Sequence, residues 1–190
     1  MQHMNHIATV ALMLNLGVAG VYADQKPLTM TFSGTAGAST IDLKVPNTTT
    51  NEDNLVGNGT LGSFTFRSIT AIMPTPSSTC SGPFLLHASR VAGAGVFNFQ
   101  DGSLLKVLLT QGDDCIDLQK GVATCIMTFQ IVKGGGTGRF QNATGKFTMT
   151  EAVVRLLPDH SGNPVFFASS GTFTGSVSGV TGEEGQDERH

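Results

Sequence analysis

The sequence predicts an all-β domain whose strands close into a barrel or stack as a sandwich, and three observations carry that prediction. Apolar and polar residues alternate with a period of two in run after run, each bounded by Gly, Asn or Pro. Outside the first 23 residues no stretch sustains the i, i+3, i+4 apolar spacing of a long helix. The composition is that of strands and turns: 24 Gly, 23 Thr and 14 Ser in 190 residues, with no Trp. Charged residues make up 13%, against about 25% in an average domain, and the net charge is only −3. This excludes a disordered chain, a coiled coil and a basic nucleic-acid binder. A single domain of this length buries roughly 70% of its unfolded surface and can own a core.

Residues 7–21 form an apolar run broken only by Thr9 and Asn15, ending in Val21-Tyr22-Ala23. That reads as an export signal cleaved after Ala23, although Met1 to His6 lacks Lys or Arg. Fifteen residues are short of the ~20 needed to span a membrane as a helix. The expected division is therefore a signal peptide at 1–23, one β domain at 24–182 and an acidic disordered tail at 183–190. Within 24–182 basic and acidic residues balance, so the net charge resides in that tail. The expected location is secreted or periplasmic, with no membrane attachment after cleavage.

Along the domain, Leu28, Met30 and Phe32 alternate with Thr29, Thr31 and Ser33. Pro46 to Gly59 is polar and reads as a loop. Phe64 and Phe66 alternate with Ser63, Thr65 and Arg67. Met73 to Pro83 is too Pro-rich for a central strand. Further strands are expected at 84–91, 94–99 and 103–110. Cys125, Met127, Phe129 and Ile131 share one face of the next strand. Phe147, Met149, Glu151, Val153 and Arg155 share a face of another, and 164–178 completes the set. The count is eight to ten strands.

Three cysteines, Cys80, Cys115 and Cys125, are an odd number for an oxidising compartment. A three-residue hairpin loop at Gln119-Lys120-Gly121 would pair Leu118 with Val122 and set Cys115 opposite Cys125, at a separation that suits a disulfide. Cys80 would then be a free thiol. Pairing of Cys80 with either of the others stays open, because connectivity does not follow from sequence.

Catalytic and metal motifs are few. Lys133 to Phe147 holds four glycines in five residues, but Gly145-Lys146 is followed by Phe147 rather than Ser or Thr, so it is no phosphate loop. Its glycines instead permit a sharp bend that lets Phe140 plug the core. There is no G-x-S-x-G elbow and no H-E-x-x-H pair. Asp101, Asp113, Asp114 and Asp117, with Glu52 and Asp53, match no calcium loop and read as turn carboxylates. No metal or cofactor is expected. Sequons at Asn47, Asn58 and Asn142 are close to the number chance gives.

The segment Gly135-Gly136-Thr137-Gly138-Arg139-Phe140, followed by Ala143-Thr144-Gly145, resembles the Gly-Gly-Thr-Gly-x-Phe…Ala-x-Gly segment shared by dirigent proteins and allene oxide cyclase-like barrels, a type that bacteria also export. The layout of 28–180 is similar to theirs. The resemblance implies an antiparallel eight-stranded β-barrel with a tapered apolar interior. Dirigent barrels use acidic and Tyr side chains on a phenolic intermediate, and the chain after residue 23 has no Tyr. No catalytic residue carries over.

The functional expectation is an exported barrel binding a small apolar ligand, as a monomer or homo-dimer and without nucleic acid. The pocket residues expected are Met127, Phe129, Phe147, Met149, Glu151, Arg155 and His87. A cyclase or isomerase using Glu151 or Arg155 is the enzymatic alternative, and a surface adhesin or structural secreted protein is the third reading.

Overall fold

The computed structural model describes residues 25–75, 80, 85–158, 160–162 and 164–182. The expected signal peptide at 1–23 and tail at 183–190 lie outside these. Eight strands follow one another around a closed barrel: β1 (Lys26–Ala38), β2 (Thr49–Gly59), β3 (Phe64–Pro74), β4 (Leu85–Phe99), β5 (Leu104–Asp117), β6 (Val122–Ile131), β7 (Thr144–Pro158) and β8 (Pro164–Ser178). Each pairs antiparallel with its neighbours in sequence. The ring closes where β1 meets β8, with Met30 opposite Phe173. Closure removes both sheet edges and leaves every strand with one face inward.

Period-two alternation sorts the side chains. Leu28, Met30 and Phe32 from β1, Phe64 and Phe66 from β3, Phe97 and Phe99 from β4, and Phe129, Phe147 and Phe173 from β6 to β8 all point inward and are buried. Their rings interlock. Phe173 lies 4.9 to 5.9 Å, centroid to centroid, from Phe32, Phe64, Phe66, Phe97 and Phe147. This half of the barrel is filled by aromatic side chains in tilted and edge-on contact. A short 3-10 helix, Gly138–Phe140, caps that end. Phe140 is fully buried against Phe99, with ring centroids 4.6 Å apart. Arg139 covers both rings from outside and pairs with Asp101 at 2.9 Å. Gly138 permits the bend: its φ is +57°, and an added Cβ would stand 2.3 Å from Ser103 Oγ.

Two strands depart from the sequence expectation. The segment read as a loop over Pro46 to Gly59 becomes β2 from Thr49 onward. Its polar, Asn-rich composition has low strand propensity, but partners on both sides, β1 and β3, satisfy its backbone. The runs at 84–91 and 94–99 form one strand, β4, interrupted by a bulge at Val91.

The disulfide is a correction. Cys80 bonds Cys115, and Cys125 is a free, buried thiol. The β5–β6 turn has four residues, Leu118 to Gly121, because Asp117 rather than Leu118 pairs with Val122. That single-residue slip puts Thr124 opposite Cys115 and Asp114 opposite Cys125. The two cysteines therefore face opposite sides of the sheet and cannot bond.

Candidate functional site

The end of the barrel away from Phe140 has a different interior. Here the inward side chains are Asp53 (β2), Ser68 and Thr70 (β3), Arg90 (β4), Asp114 (β5), Cys125 (β6), Glu151 (β7) and Ser169 (β8), all buried. Three carboxyl groups and one guanidinium share a space walled by the sheet.

Two bulges bring the central pair inward. In β4, Phe97 and Phe99 face inward at odd positions. Val91 is then left unpaired between Ala92, opposite Ala71, and Arg90, opposite Ile72, so even positions face inward beyond it. In β5 the same happens at Thr110, between Leu109 opposite Phe129 and Gln111 opposite Thr128. Leu105 and Val107 point inward before the bulge and Asp114 after it. Without the bulges Arg90 and Asp114 would face water.

Arg90 is the hub. Its Nε donates to both oxygens of Asp114, at 2.9 and 3.0 Å. Nη1 donates to Thr70 Oγ1 at 2.9 Å and lies 3.8 Å from Asp53 Oδ2. Nη2 approaches Cys125 Sγ at 3.6 Å. Ser68 donates to Asp53 Oδ2 at 2.5 Å, and Ser169 donates to Glu151 Oε1. Two oxygens are left over. Asp53 Oδ1 and Glu151 Oε2 are buried without a hydrogen-bond partner among the described residues, an arrangement that normally costs free energy.

The electrostatics follow from burial. Loss of solvent, with Asp53 adding like charge, pushes the Glu151 carboxyl up to about 7. Burial likewise raises Asp53, against the opposing pull of Arg90 and the Ser68 hydroxyl. It also raises the Cys125 thiol, which is no activated nucleophile. Burial opposes the charge on Arg90, yet the acids around it, Asp114 first, hold its pKa above the ordinary value. This end of the interior thus contains a permanent cation and a carboxyl group able to gain or lose a proton near neutrality.

Of the pocket residues read from the sequence, Met127, Phe129, Phe147 and Met149 line the interior next to Glu151. The other two do not join it. The β4 bulge inverts the alternation, so Arg90 goes inward while His87 lies on the other face, with Nδ1 2.7 Å from the Thr75 carbonyl and Nε2 2.9 Å from Asp113 Oδ1. Arg155 is exposed because β7 runs past the barrel rim there: every residue from Val154 to Pro158 is exposed, and pairing with β8 shifts beyond Arg155. A cluster of Glu151, Arg155 and His87 does not form. Asp53 and Asp114, read from the sequence as turn carboxylates, are instead buried strand residues of β2 and β5, and the inward face of Arg90 follows from the β4 bulge. The extension of the Phe64–Phe66 alternation to Ser68 and Thr70 was the available signal that the lining turns polar.

The Cys80–Cys115 bridge ties the β3–β4 connection to β5 beside this cluster, with Cys80 Sγ 3.7 Å from the Asp114 carbonyl. Among the described residues no three His, Cys, Asp or Glu side chains are grouped to hold a metal ion. None of the described helices is long and apolar enough to cross a membrane. No protein-family model matches the sequence, and comparison with curated proteins and with solved structures finds no match to either.

Proposed function

We propose that this protein is an exported barrel, of the allene oxide cyclase and dirigent kind, that binds a small molecule through the polar end of its interior. The observation that carries this reading is the pair of buried, unpartnered carboxyl oxygens, Glu151 Oε2 and Asp53 Oδ1, at the end of the interior that Arg90 anchors. Two acceptors held ready in a low-dielectric space favour a ligand with hydroxyl or amine donors. Its apolar body would lie toward Met127 and Met149, the cross-strand pair one step nearer the aromatic half. Native mass spectrometry of the protein exported by its own host, beside a denatured aliquot, tests the proposal. A native mass exceeding the denatured one by a small organic molecule, lost in Glu151→Gln, supports it. A bare native species that also takes up no hydroxylated or amino-bearing apolar compound counts against it. A denatured mass starting at Met1 would remove the export reading alone.

An enzymatic reading rests on a separate observation, the rise of Glu151 to about 7. A carboxyl poised there matches a general acid–base role in a cyclisation or isomerisation, where efficiency is best when the pKa lies near the working pH. Glu151→Gln should then abolish turnover while ligand binding persists. Unchanged turnover in that variant would remove the assignment.

A further inference from the structure

The outer wall of the barrel carries a concavity separate from the buried polar cluster. The β1–β2 connection folds back across β3, β4 and β5 and leaves a groove of about 820 Å³ beneath Ile41, Leu43 and Val45. Its floor is small and aliphatic: Ile69, Ala94 and Leu108 form one cross-strand row, and Val96 begins the next. Ile41 and Leu108 each expose about half their surface, 52% and 51%, although they face this hollow.

The charges at the groove are unequally placed. Arg67 and Lys106 flank Val96 in the row beside Ile69, Ala94 and Leu108, because Arg67 pairs with Val96 and Val96 with Lys106. Both are exposed, and neither forms an ion pair among the described residues. Strands two apart are separated by nearly 10 Å, a span that two long basic side chains can close onto one anion. The single acid lining the groove, Glu52, lies opposite Ile69 and receives the Ser39 hydroxyl at 3.3 Å. Lys44 on the loop is already held by Asp42 at 2.7 Å.

An aliphatic floor with two unpaired cations along one end is complementary to a single-chain amphiphile bearing an anionic head. We infer that this groove is a binding site for such a molecule, its chain under Ile41, Leu43 and Val45 and its head between Arg67 and Lys106. Glu52 repels the head and confines it to the Val96 row.

Calorimetric titration of the whole protein with dodecyl phosphate, with dodecanol as the uncharged comparison, tests the site. Saturable binding of dodecyl phosphate at one site is expected, weakened at least fivefold in Arg67→Gln/Lys106→Gln and strengthened in Glu52→Gln. Ala94→Trp, which fills the floor, should abolish it, and Val96→Phe serves the same purpose if the Trp variant fails to fold. Equal affinity for dodecanol, no response to loss of the two cations, or no saturable binding would overturn the inference. Loss in Glu151→Gln with retention in Ala94→Trp would also overturn it, placing the ligand inside the barrel instead.

Discussion

The aromatic and polar halves of the barrel are built on the same eight strands and the same inward alternation, yet they are held together by opposite means. In the aromatic half, nine buried phenylalanines and their aliphatic neighbours fill the space by contact. Each ring gains from leaving water and asks nothing of its partner beyond shape. In the polar half, Arg90 must neutralise Asp114 and share Asp53, and each member has value only while the others are present. The aromatic lining carries no titratable side chain among the described residues; the other half contains Glu151, whose carboxyl burial pushes up to about 7, and two oxygens without partners. Ring packing holds the end that Phe140 closes, and paired charges hold the end it does not.

The sharpest break of this comparison is one substitution in each half. Phe173→Ala should cost about 3–5 kcal/mol, read as a lower urea midpoint, since it removes a ring in contact with five others. Arg90→Met should cost a similar amount by stranding buried carboxylates. The two should respond differently to a second change. Asp114→Leu should restore much of the stability lost in Arg90→Met and none of that lost in Phe173→Ala. Equal rescue, or none in either, would mean the halves are not held by different forces.

The pH dependence comes next in size. Glu151 titrates near 7 in the folded chain and near 4.5 when unfolded, so the unfolded state releases its proton first as pH rises. Stability from this group is therefore complete below about pH 4.5 and declines through pH 7, by on the order of 3 kcal/mol in total. Thermal melts across that range should show the decline in the wild type and lose most of it in Glu151→Gln. A flat profile in the wild type would contradict the buried, unpartnered carboxyl.

Gly138→Ala should cost about 2 kcal/mol, because the left-handed backbone there disfavours a Cβ and Ser103 occupies its place. It should loosen the packing of Phe140 without altering the Arg90 cluster at the polar end, which nuclear magnetic resonance shifts would report separately for the two halves. The smallest effect belongs to Arg155→Ala. On the exposed β7 extension it should change stability by no more than about 0.5 kcal/mol and leave the Glu151-dependent pH profile intact.

The parts of the molecule that were legible in advance share a cause. Leu28, Met30 and Phe32, or Phe147, Met149 and Glu151, alternate without interruption, so period two alone assigns their faces. Glu151 was found as an interior acid for that reason. Arg90 and Asp114 were not: Asp114 read as a turn carboxylate past the expected strand 103–110, 84–91 and 94–99 read as separate strands, and the observed bulges at Val91 and Thr110 invert every face that follows them. The same arithmetic, in a turn one residue longer than expected, misplaced the disulfide.

From its local pattern, then, this chain determines an all-β domain with an apolar lining, because alternation and turn residues act over a few neighbouring positions. Tertiary structure alone decided that Thr49–Gly59 is a strand, that Cys80 and not Cys125 bonds Cys115, and that four charged groups meet inside the barrel. Those outcomes depend on register between strands distant in sequence, and register is set only when all eight strands close on one another.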